Sequence, residues 1–127
     1  MRKHQIFVYG LLAPVFELAL LSQGHAADTF RKLQNAEIRA RLAGMEVTDG
    51  VHWAEQYMRD GTFKAFHMGK ATTGRWSVHD GQLCLELATA ERECKEVWLS
   101  GTKIEFRVPG SGLPPFEGVL KRQEPRS

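Results

Sequence analysis

The chain is 127 residues long, with 43% apolar and 25% charged residues and a net charge of +2. That is the composition of one ordinary globular domain, and it excludes a disordered or collagen-like chain. With no basic excess, a non-specific grip on nucleic acid is not expected, and no phosphate-binding glycine loop, nucleophile elbow or HExxH zinc motif is present.

The chain opens on a short positive segment, Arg2 and Lys3, followed by a mostly apolar stretch over residues 6–21. Gly24, His25 and Ala26 then form the small-x-small triplet that signal peptidase cuts. Pro14 and Glu17 interrupt the stretch, which falls short of the roughly 20 residues a membrane span needs. The reading is a signal peptide over 1–26 and a single domain over 27–127, which keeps 15 basic and 14 acidic residues. A buried core helix is the alternative for the leading segment. Export implies a periplasmic or secreted protein with no stable membrane span after cleavage. An oxidising compartment favours pairing of Cys84 with Cys94, the two cysteines of the chain. Nine residues separate them, room for a hairpin that sets them face to face. Two free buried thiols are the alternative.

From residue 28 to Gly44 the pattern is helical. Asn35 is placed to cap a helix over 36–43, with Ile38 and Leu42 on its buried side and Arg39 and Arg41 in water. Phe30 and Leu33 suggest that an earlier turn also packs down. After Gly44 the apolar period becomes two. Strands are expected over 45–48, 52–58, 62–68, 72–79, 82–88, 93–99, 103–108 and 116–122, split by Asp-Gly and other glycine-containing turns. Hairpins this short leave no room for crossovers, so the fold class is mainly β: an eight-stranded antiparallel meander barrel preceded by a short N-terminal helix. Alternation places Trp76, Val78, Leu83, Leu85, Val97, Leu99, Ile104 and Phe106 inside. Cys84, Cys94, Glu86, Glu96 and Trp98 fall outside.

The hairpin around Arg59, Asp60 and Gly61 carries the candidate site. A three-residue turn with Gly61 left-handed makes Met58 and Thr62 the closing pair. Trp53 then opposes His67, Glu55 opposes Ala65 and Tyr57 opposes Phe63. The aromatic face is the inner one, so Glu55 and His67 point inward with it. An inward carboxylate beside an imidazole is costly unless paired or wet. Trp53, Glu55, Tyr57, His67 and Trp76 are therefore candidate ligand-binding residues, and a satisfied Glu55–His67 pair at the barrel rim is the simpler reading. His52, Met68 and His67 would suit soft copper, but no carboxylate cluster completes a metal set. Ser77, Ser100 and Ser111 have no triad context. No cofactor is implied and no catalytic motif is found, so a non-enzyme is expected. The enzymatic alternative would act through Glu55 and His67.

Several short patterns occur in order: Ala36-Glu37-Ile38-Arg39 with Gly44, Trp53-x-x-x-Tyr57, Asp60-Gly61, Gly74-Arg75-Trp76-Ser77-Val78, and Leu83-Cys84-Leu85 with Cys94 on the next strand. On these, residues 35–123 resemble small periplasmic proteins of proteobacteria with a lipocalin-like β-barrel. The Gly-x-Trp strand followed by a cysteine-bearing strand is also similar to the periplasmic inhibitors of secreted metalloproteases, small eight-stranded barrels with one disulfide. The first likeness implies an accessory barrel that takes a small apolar ligand or a periplasmic protein partner. The second implies an inhibitor of a secreted or periplasmic hydrolase. Neither supplies a catalytic residue. The export reading has a direct check: the intact mass of the secreted protein is expected to match residues 27–127, and a full-length chain confined to the cytoplasm would overturn it.

Overall fold

The computed structural model describes residues 28–125, with residues 10, 11 and 14 before them, so the expected signal peptide over 1–26 lies almost wholly outside the described residues. The elements run β1 (Arg31–Lys32), α1 (Asn35–Leu42), β2 (Met45–Thr48), β3 (Trp53–Tyr57), β4 (Thr62–His67), β5 (Lys70–His79), β6 (Gln82–Leu87), β7 (Glu93–Ser100), β8 (Lys103–Arg107) and β9 (Phe116–Arg122). Each of β2 to β9 pairs antiparallel with the next, and β9 returns to β2 with Met45 opposite Arg122 and Thr48 opposite Val119. The sheet therefore closes into the expected eight-stranded barrel.

Turns alternate between the two ends of this barrel. Those after β3, β5 and β7 lie at one end with α1, and those after β2, β4, β6 and β8 lie at the other. The helix end is filled. Leu33, Ile38 and Leu42 are fully buried in one cluster with Tyr57, Phe63, Val78 and Leu83. A helix of eight residues is marginal alone, so this packing, more than propensity, holds α1 in place.

Two local expectations are corrected. Asn35 does not cap α1; Gln34 takes the N-cap position, and the Asn35 side-chain oxygen accepts instead from the Gly81 amide at 2.6 Å. That bond ties the helix start to the β5–β6 turn. The stretch before the helix is not a helical turn either. Arg31 and Lys32 pair with Leu99 and Trp98 of β7, and the Leu33 amide donates to the Val97 carbonyl at 2.8 Å. The cause is a length mismatch: β6 pairs β7 only as far as Glu96, leaving a free edge beyond it that β1 takes.

Cys84 and Cys94 are directly opposite on β6 and β7 and are disulfide-bonded, with Cα atoms 4.1 Å apart. On the chain-entropy account so short a loop contributes roughly 2–3 kcal/mol. The expected β3–β4 register is also present, Tyr57 to Phe63, Glu55 to Ala65 and Trp53 to His67, around Gly61 at φ +89°. Tyr57 meets Phe63 at 5.3 Å between ring centroids and Trp76 edge-on at 5.8 Å, and the Trp76 indole donates to the Met58 carbonyl at 2.8 Å.

Gly74 sits where β5 comes too close to β6 for a side chain: a Cβ there would collide with the Glu86 carbonyl and with Leu87. Alanine ordinarily suits a strand interior better than glycine, but here the sign reverses. Gly74→Ala is expected to lower stability by about 1–3 kcal/mol, the usual range for overpacking, read as a shift in the urea midpoint. An unchanged midpoint would refute the close approach.

Candidate functional site

The barrel end opposite α1 is open. Inward side chains of β3 descend from its rim in the order Trp53, Glu55, Tyr57, because alternate residues of a strand share a face. Glu55 is only 7% exposed and accepts the Tyr57 hydroxyl proton at 2.6 Å, with Tyr57 fully buried beneath it. Burial pushes the Glu55 carboxyl above its ordinary range, while the Tyr57 hydroxyl and the charges of Lys95 and His67 pull it back. The Tyr57 phenol is pushed well up by burial and by the Glu55 charge.

Along one side of the mouth runs a row of rings. His67, exposed at the end of β4, stacks on Trp53 with centroids 6.3 Å apart and planes 16° apart. Trp53 packs on Phe116 at 4.4 Å, and Phe116 faces Phe106 at 6.5 Å. Across from them, β7 directs Lys95 inward. Its Nζ lies 5.9 Å from the Phe106 centroid, 5.8 Å from that of Phe116 and 3.5 Å from a Glu93 carboxylate oxygen. Leu113 and Pro114 of the β8–β9 loop complete a cleft of about 300 Å³. That volume is at the small end of the range for ligand pockets.

The structure brings Glu55, His67 and Trp53 to this mouth, with Tyr57 as its floor. Trp76 is elsewhere: it reaches the shared interior through Tyr57 but belongs to the helix end, where it borders Arg59, Gly61 and Val78. The expected Glu55–His67 pair is replaced by Glu55–Tyr57, two residues apart on one strand, while His67 spends its ring on Trp53. Glu93, Lys95, Phe106 and Phe116 are the mouth residues that sequence reasoning left unassigned to the site. The signal for two of them was present, since stepping back by twos from inward Val97 reaches Lys95 and then Glu93.

A larger groove, about 420 Å³, lies outside the β2–β3 turn and includes His52 and Pro125. Its lining side chains Thr48 and His52 are engaged in holding the turn, together with the adjacent Asp49. Asp49 Oδ1 accepts from the Val51, His52 and Trp53 amides at 2.9, 2.7 and 3.1 Å, and Oδ2 lies 2.9 Å from His52 Nδ1. The mouth, by contrast, combines a buried carboxylate, an inward ammonium and a row of rings that reaches the surface at His67 and Phe116. It is the stronger site.

Comparison of the chain with protein-family models, with curated proteins and with solved structures finds no match.

The Glu55 environment sets a pH dependence. A carboxyl whose folded pKa is raised contributes its full stability below the unfolded pKa and loses it as pH climbs through the folded one. Glutamine cannot ionise and still accepts the Tyr57 proton. Glu55→Gln is therefore expected to match the parent near about pH 4 and to exceed its stability near about pH 8. Denaturant midpoints at both pH values check this, and an equal offset at the two would contradict it.

Proposed function

We propose that the domain is an exported, lipocalin-like binding module that holds a small, largely apolar ligand in its open barrel mouth. The observation that carries this reading is the contrast between the ends. One is filled by Leu33, Ile38 and Leu42, while the other presents a ring-lined cleft with one buried carboxylate at its floor. Pockets that bind small molecules combine an apolar lining with a few placed polar groups in this way. No catalytic role is proposed for the mouth, since Glu55 and Tyr57 are hydrogen-bonded to each other and His67 is stacked at the rim.

A second reading draws on the rim itself. Val51 is 82%, Met68 82% and Leu113 72% exposed, and they belong to three different loops of the open end. Exposed apolar side chains at one end of a barrel offer contact area to another protein, as an inhibitor of a secreted or periplasmic hydrolase would use.

Native mass spectrometry of protein recovered from periplasm tests both. A retained small molecule that is lost in Phe116→Glu supports the mouth reading. A co-purifying hydrolase would favour the rim reading. A bare chain that also takes up no apolar probe in vitro would overturn the ligand reading.

A further inference from the structure

The mouth already holds an organic cation, its own lysine. Lysine is rarely buried without a partner, yet the Lys95 side chain keeps only 16% of its exposure. Its ammonium lies over the faces of Phe106 and Phe116, at 5.9 and 5.8 Å, and beside Glu93. Ring faces are negative and attract cations most strongly where water is excluded. Charge at the mouth is also unbalanced. Two carboxylates, Glu55 and Glu93, line the cleft against the single ammonium of Lys95. Lys95 makes its ion pair with Glu93, and Glu55, deeper and 7% exposed, is hydrogen-bonded to the uncharged Tyr57.

We infer that the mouth selects amphiphilic organic cations: an alkylated ammonium enters over Phe106 and Phe116 toward Glu55, displacing the Lys95 ammonium, and its apolar chain leaves along Val108 and Leu113. The inference rests on the ligand-binding reading above and adds the chemical class. The displaced lysine has somewhere to go, since Glu93 is largely exposed and can follow its ammonium into water. An anionic ligand would instead meet Glu55 at the floor and would have to compete with Glu93 for Lys95.

Three ten-carbon probes separate the cases by calorimetric titration of the folded domain near neutral pH and low salt: decyltrimethylammonium, decanoate and decanol. The ammonium is expected to bind at least about tenfold tighter than either of the others, the equivalent of one favourable charge contact. Glu55→Gln is expected to remove most of that margin. Lys95→Met, which takes away the internal competitor, is expected to strengthen the ammonium several-fold. Decanoate or decanol binding as tightly as the ammonium, or an ammonium affinity untouched by Glu55→Gln, overturns the cation preference and leaves the ligand-binding reading standing. Weaker ammonium binding in Lys95→Met overturns the displacement. If none of the three probes binds, the cation preference and the ligand-binding reading both fall.

Discussion

Gly61, at φ +89°, lets the chain reverse in three residues, and the Met58 amide closes that turn on the Thr62 carbonyl at 2.8 Å. Everything at the mouth depends on this count. A β-strand repeats every two residues, so a turn shorter by one would exchange every inward side chain of β4 for an outward one relative to β3. With Trp53, Glu55 and Tyr57 still inside, Arg59 would join them on the aromatic face, and Phe63, Ala65 and His67 would turn outward. With the count as it is, Arg59 stays outside, against Gly44, where a Cβ would lie 3.1 Å from its guanidinium. The same register lets one strand supply both the acid of the site and the phenol that satisfies it.

The two barrel ends divide the work of stability and recognition. The helix end has spent its apolar surface on itself, with three fully buried aliphatic side chains from the N-terminal segment and a network of rings around Tyr57. The open end keeps His67 and Phe116 at the surface, with Phe106 buried behind them. On the outer wall, polar groups are paired more thoroughly than a surface requires. Glu105, 6% exposed, takes a two-pronged contact from Arg107, whose guanidinium lies 4.0 Å over Trp98, and Lys32 reaches Glu96 at 2.7 Å. Trp98 is thereby covered by charge. This wall braces β1, β7 and β8 together.

The barrel was legible in the sequence because period-two alternation and glycine turns are local signals that survive without tertiary knowledge. Strand ends came within two residues for β3 to β8, and β2 and β9 coincide with expectation. What sequence did not disclose was decided by contacts between distant segments. The edge taken by Arg31 and Lys32 exists only because β7 outruns β6, a mismatch no propensity reports. Asn35 is a good cap by type, but the Gly81 amide, 46 residues away, claims its oxygen. The Glu55 partner was misassigned for a related reason. Cross-strand distance favoured His67, whereas the length of the tyrosine side chain lets Tyr57 reach along its own strand. Phe116 belongs to the mouth because β9 closes on β2, which no hairpin argument specifies.

That closing seam has a consequence for how the chain can be made. It joins Met45–Thr48 to the strand that ends at Arg122, and the Gln123 side chain fastens it further by donating to the Met45 and Tyr57 carbonyls at 3.2 and 3.3 Å. Neither α1 nor the hairpins can bury their apolar faces fully until this last strand arrives, and contacts of such long sequence separation form slowly because the loop entropy is lost first. The domain therefore stays without its core until nearly its whole length is free. A chain that matures only at its final strand keeps apolar surface open until its C-terminal segment docks. The Cys84–Cys94 bond is independent of that wait, because its partners are 10 residues apart and need only their own hairpin.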